Sequence, residues 1–177
     1  KYPIKFLHRG QEYNFLNLPR KVIKDANNYI EYFYDASARK VMQRVVTSGV
    51  ATERFYHNGF EYGGSGIELV HTGEGVVNVS TTDNNHRYNY FLKDHLGSTR
   101  VVFGEDTQGE LIVNQVTDYY AFGLAHEPGF GMGDTRYLYN GKELQDELDL
   151  GQNLSLGWLD YGWRMYDPQI GRWHVID

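Results

Sequence analysis

Cysteine is absent from the 177 residues, so no disulfide framework can tie this chain together. Many secreted bacterial proteins manage without disulfides, and the absence leaves the redox compartment open. Positive charge is also short. Lys and Arg number 17 against 23 Asp and Glu, for a formal net charge of −6 and a pI near 5.6. That balance argues against a surface that tracks nucleic-acid phosphates, which needs basic charge gathered on one face. Long apolar runs are missing too, since charge or glycine breaks every stretch well before the roughly 18 residues of a membrane span. The chain opens on Lys1 with no basic-then-apolar leader, which reads as a mature product or a piece of something larger.

Proline is scarce, at 4 residues, beside 20 glycines and 15 tyrosines. Aromatic and β-branched residues fit a pleated surface and glycine supplies the positive backbone angles of tight turns, so the expectation is strands joined by hairpins. At 41% apolar, the length suits one domain or several turns of a repeat architecture.

Period-two alternation runs through Tyr29-Ile30-Glu31-Tyr32-Phe33-Tyr34 and again through Arg39 to Val46, with Asp35-Ala36-Ser37-Ala38 between them. Asn58-Gly59 stands between aromatic flanks at Phe55-Tyr56 and Phe60-Glu61-Tyr62, the strongest short hairpin signal because both residues tolerate positive φ. Asp83-Asn84-Asn85 before Arg87–Leu92, and Asp106-Thr107-Gln108-Gly109 between Arg100–Phe103 and Glu110–Val113, repeat the pattern. Tyr13, Tyr34, Tyr56, Tyr90 and Tyr120 follow one another at 21, 22, 34 and 30 residues. Such intervals mark a stacked array, and an ordinary β-meander with incidental tyrosines produces them as well. The one helix candidate is Lys142–Leu148, with Leu144 and Leu148 spaced i, i+4. Glycine-rich loops are expected at Gly63–Gly66 and Gly129–Gly133.

Several longer strings resemble a known family. Lys93-Asp94-His95-Leu96-Gly97-Ser98-Thr99-Arg100 resembles the "KDHLGSTR" segment of the Rhs repeat-associated core, and Asp118-Tyr119-Tyr120-Ala121-Phe122-Gly123 resembles its "YYPFG". Tyr137-Leu138-Tyr139-Asn140-Gly141-Lys142-Glu143-Leu144 follows, and Asp160-Tyr161-Gly162-Trp163-Arg164-Met165-Tyr166-Asp167-Pro168-Gln169-Ile170-Gly171-Arg172-Trp173 is similar to "YDYGARMYDPxIGRW". Upstream, Tyr32–Arg39 resembles the YD repeat "YxYDxxGR" with Ala38 in place of glycine, and Tyr13–Pro19 is a more degenerate copy. The wording is similar to Bacteroidetes members, apart from a few extra residues at 149–157. The resemblance divides the chain into YD-type hairpin repeats over 1–87 and a repeat-associated core over 88–177.

What the resemblance implies is an all-β array of antiparallel hairpins from a β-spiral or shell, with at most one short helix. It also implies a structural, non-catalytic role, in which the shell encloses a C-terminal effector and the core closes it. Partners would be neighbouring repeats and that effector in the same secreted or surface polypeptide. Many family members cut themselves just after the core with an aspartate pair. Asp177 sits where the first aspartate would lie, and without the second this chain alone cannot perform that chemistry.

Other candidates have plainer readings. Asp94, His95, Arg100, Arg164 and Asp167 could form an acid–base site, but Asp94–Gly97 reads as a turn and the arginines as partners of aspartates or aromatic rings. The histidines at 8, 57, 71, 86, 95, 126 and 174 show no metal-ligand spacing, and no cofactor is expected. Gly63-Gly64-Ser65-Gly66 lacks the Lys-Ser/Thr of a phosphate loop. Asn78 and Asn153 fit the glycosylation pattern without further support. A competing reading is a cell-surface glycan-binding module that uses exposed tyrosines with Trp158, Trp163 and Trp173.

Overall fold

The alternating segments are strands. A computed structural model of the chain describes residues 10–80, 86–126, 135–151 and 154–175, and the described residues are almost entirely antiparallel β-structure. The expected turns around Asn84 and Gly129–Gly133 lie outside these residues, as do His8, Asn153 and Asp177.

The chain divides into two compact units, Lys1–Phe55 with Leu144–Asp177, and Tyr56–Glu143. In the first, strands β1 (Gly10–Tyr13), β2 (Pro19–Asp25), β3 (Asn28–Tyr34), β4 (Lys40–Thr47) and β5 (Val50–His57, whose last two residues belong to the second unit) pair antiparallel in chain order. Asn58 and Gly59 lead out of β5 with φ of 48° and 81°, the double positive angle that a two-residue hairpin turn requires. In the second unit β6 (Phe60–Gly63), β7 (Gly66–His71), β8 (Gly75–Val79), β9 (His86–Lys93), β10 (Thr99–Glu105) and β11 (Leu111–Val116) again pair in chain order. These compact units cut the chain differently from the motif-based division at residue 87.

The last part of the chain is built of short strands: β12 (Glu143–Gln145), β13 (Asp149–Gly151), β14 (Leu154–Ser155), β15 (Trp158–Asp160), β16 (Met165–Asp167) and β17 (Arg172–Trp173). The extra residues at 149–157 supply the two-stranded β13–β14 hairpin. The helix expected over Lys142–Leu148 does not form. Glu143–Gln145 is a strand bordered by a single 3-10 turn at Tyr139–Gly141. Two helical turns alone are marginal, whereas in the extended backbone Glu143 accepts from the Tyr56 hydroxyl (2.9 Å) within the second unit and Gln145 accepts from Gln43 in a buried hydrogen bond (2.8 Å) within the first.

Period two specifies which residues share a face but not which face is covered. In β3 the covered face is apolar, with Ile30 and Tyr32 buried against Val22, Leu148, Leu156, Trp158 and Met165. In β6 it is the reverse, with Glu61 buried and Phe60 37% exposed. The interior of the second unit is correspondingly polar, with Asn89, Ser98, Thr99, Gln115, Thr117 and Glu143 buried beside Val76 and Val102. Buried polar groups of this kind require partners; Ser98 and Thr99 find theirs in other motif residues, while Asn89 accepts from Asn114 and Gln115 donates to Thr117.

Candidate functional site

The motifs begin as turns. At Asp94 the side-chain Oδ1 accepts the amides of Leu96 and Ser98, both at 2.9 Å. The Asp94 amide donates to the Ser98 carbonyl (3.0 Å), Gly97 donates back to the Asp94 carbonyl (2.9 Å), and Gly97 has φ 79°. Asp35 and Asp106 repeat the arrangement, the first through Ser37 and Arg39 and the second through Gln108 and Glu110. Asn14 makes the same turn through Leu16 and Leu18. The Asp-x-x-Gly spacing is therefore a physical unit: a short acceptor side chain satisfies two amides while the fourth residue turns left-handed. That fourth residue is Asn17 after Asn14 and Ala38 after Asp35, with φ of 60° and 62°. Hydrogen bonds from the backbone amides lower the carboxyl pKa of Asp35, Asp94 and Asp106, the leading donors being Arg39, Ser98 and Glu110.

Three of these motifs interlock in the second unit. Thr99 donates its amide to the Leu138 carbonyl (3.1 Å) and its hydroxyl to the Tyr137 carbonyl (2.7 Å). Asn140 donates its amide to Ser98 Oγ (3.1 Å) and its side chain to the Leu96 carbonyl (3.0 Å). The Tyr119 hydroxyl donates to the Thr99 carbonyl (2.7 Å), and its ring lies 5.6 Å from that of Tyr139. Arg100 pairs with Asp118 and covers the Tyr119 ring. The strings beginning at Lys93, Asp118 and Tyr137 thus satisfy one another.

A second cluster in the same unit escapes the motif reading in part. Glu61, 1% exposed, accepts from His71 Nε2 (2.9 Å), from the Tyr137 hydroxyl (2.5 Å) and from Arg136. Glu143 lies 3.5 Å from Arg136 Nε. Burial alone would raise the Glu61 pKa, but hydrogen bonds from His71 and Tyr137 with the Arg136 charge bring it down to about 2. Burial likewise pushes the Tyr137 hydroxyl far above its ordinary value. Buried and held by His71, Tyr137 and Arg136, the Glu61 carboxylate anchors this part of the unit. Tyr137 and Glu143 belong to a recognised string, whereas Glu61 and Arg136 carry no sequence signal beyond being polar.

The final motif works in the first unit. Trp158 is 1% exposed, with the His174 ring at 3.7 Å. The His174 amide donates to the Met165 carbonyl (3.1 Å), and the His174 carbonyl accepts from Tyr13 (3.3 Å). Trp173 meets Tyr161 and Tyr166 and is covered by Arg164 at 4.4 Å.

Four of the five residues weighed for acid–base chemistry are engaged by partners. Asp94 holds its turn, Arg100 pairs with Asp118, Arg164 stacks on Trp173, and Asp167 accepts the Gln169 amide at 2.8 Å. His95 is exposed in the Asp94 turn. Trp158 is withdrawn from the glycan-contact reading because it is core, while Trp163 and Trp173 are 70% and 40% exposed. The dyad residue Asp177 lies outside the described residues.

No family model matches the chain, and no curated protein matches it. Solved structures do. A TcdB2–TccC3 chain without its hypervariable C-terminal region is 18% identical, with a TM-score of 0.70 over 92% of this chain. The TcdB2–TccC3–TEV and TcdB2–TccC3–Cdc42 structures are each 20% identical, with TM-scores of 0.70 and 0.69 over 93% and 92% of this chain. The chain spans only 8–9% of the length of these structures. At such identity the likeness concerns the fold, and the fold of this chain is Rhs-like, an antiparallel β-array of the kind found in TcdB2–TccC3.

Proposed function

We propose that this chain is a non-catalytic structural segment of a large, secreted or surface-held Rhs/YD-repeat protein of the polymorphic-toxin type. It contributes wall to a β-shell around a C-terminal effector, and residues 88–177 close that shell. The observation that carries this reading is the use of the motif residues. Thr99 bonds the Tyr137 carbonyl, Tyr119 bonds the Thr99 carbonyl and Asn140 bonds Ser98 and the Leu96 carbonyl, and strings spent on one another in this way serve assembly. The small share of the TcdB2–TccC3 chains that it spans supports a place inside a longer polypeptide. Its partners are then the adjoining repeats and the effector. Electron cryo-microscopy of the longer polypeptide tests this: a closed hollow wall with density inside supports it, and an open or solid particle contradicts it.

Within that reading Asp177 is half of a self-cleavage dyad of the parent protein, a role overturned if Asp177→Asn leaves processing intact. A second reading, glycan binding, is favoured by the 70% exposure of Trp163 on the Tyr161–Arg164 turn. A glycan array separates the two: saturable binding lost in Trp163→Ala supports a binding module, and its absence leaves the shell.

A further inference from the structure

Without cysteine the chain cannot form a disulfide, yet one pair of side chains is arranged for another covalent tie. Lys40 opens β4 directly after the Asp35 turn and Asp160 closes β15, 120 residues apart. Lys40 Nζ lies 2.6 Å from Asp160 Oδ2, and the two side chains are only 9% and 8% exposed. The Gly162 amide donates to the other carboxyl oxygen, Oδ1, at 2.6 Å. The Tyr32 ring lies 5.9 Å from Nζ. Its hydroxyl is fully buried, without a hydrogen-bond partner among the described residues, and burial keeps it protonated.

These features fit the requirements of amide formation. The proposed route starts with transfer of a proton from Nζ to Oδ2 along the 2.6 Å contact between two buried side chains, which yields the neutral amine and carboxylic acid. The neutral amine is then a nucleophile held against the carboxyl group whose carbon it attacks, with Nζ 2.6 Å from Oδ2, an arrangement that lowers the entropic barrier. Charge developing on Oδ1 meets the Gly162 N–H, already aimed at it.

We propose that Lys40 and Asp160 condense into an intramolecular isopeptide bond. Nζ attacks Cγ of the protonated Asp160 and the N–Cγ bond forms. One proton moves from nitrogen to the Oδ2 hydroxyl, the Cγ–Oδ2 bond breaks, and water leaves. The product is a neutral secondary amide that retains one N–H, and no oxidant or other reactant is consumed. The bond ties the Tyr32–Arg39 repeat to the terminal motif.

The test is the intact mass of the purified, fully denatured 177-residue chain, followed by a peptide map. The expected chain is lighter by one water, with a branched peptide that joins Lys40 to Asp160 and resists trypsin at Lys40. Lys40→Arg and Asp160→Ala keep the uncondensed mass. If either variant fails to fold, the wild-type mass and map decide alone. An uncondensed wild-type mass after prolonged incubation, or a water loss mapped to any other position, overturns the proposal.

Discussion

Gly123 stands against the ring of Tyr139. A Cβ on Gly123 would fall 2.3 Å from Tyr139 Cδ1, and the Gly123 backbone is left-handed at φ 83°. The "YYPFG"-like string therefore ends in glycine for two independent reasons, the turn itself and the neighbouring string that packs on it.

Gly123→Ala and Gly109→Ala separate those reasons. Gly109 has φ 82° and open space around it, so its alanine variant loses only the conformational term, about 1–2 kcal/mol. Gly123→Ala adds overpacking of about 1–3 kcal/mol and unfolds at clearly lower urea. Equal midpoints for the two variants would contradict the interlock.

Ala38 is the counterpart case. It occupies the left-handed position of the Asp35 turn at φ 62°, where the related turns have Gly97 and Gly109. Ala38→Gly is expected to stabilise by about 0.5–1 kcal/mol, since relief of the left-handed cost exceeds the entropy glycine adds to the unfolded chain. Equilibrium urea unfolding reads it directly.

Glu61 sets an acid limit. Its folded pKa, about 2, lies below the unfolded value near 4.3, so its contribution is present above pH ~4.3 and is lost as pH falls toward 2. The full contribution is about 3 kcal/mol. The lowered carboxyls of Asp35, Asp94 and Asp106 act in the same direction. Stability measured between pH 7 and pH 2.5 should fall, and Glu61→Gln should flatten part of that fall while costing about 3–5 kcal/mol at neutral pH for a broken buried pair.

Trp158 and Trp163 are expected to behave oppositely. Trp158→Ala empties a core position and costs about 3–5 kcal/mol. Trp163→Ala, at a site 70% exposed, stays within about 0.5 kcal/mol. Thermal unfolding of both variants checks the assignment.

Much of this was legible in the sequence, and for local reasons. Asn58-Gly59 and the Asp-x-x-Gly spacings encode their turns within four or five residues, so hairpins could be read without tertiary information. The buried sites were not legible, because their logic is long-range. Glu61 sits in an alternating aromatic segment that would serve equally well with Phe60 inside. Arg136 and Tyr137, some 75 residues away, help to make the polar side the covered one. The same holds for Lys142–Leu148, where good helix formers yield to partners at Gln43 and Tyr56. Trp158 gave no sign of burial because its core companions Val22, Ile30 and Tyr32 lie in β2 and β3.

The proposal that this chain forms wall and closure of a container is tested most directly by protease protection of what the container would hold. In the longer polypeptide, the region after Asp177 should resist digestion under native conditions and become sensitive when Trp158→Ala or Gly123→Ala loosens the wall. Digestion of that region at the same rate in the intact and the loosened protein would contradict the account.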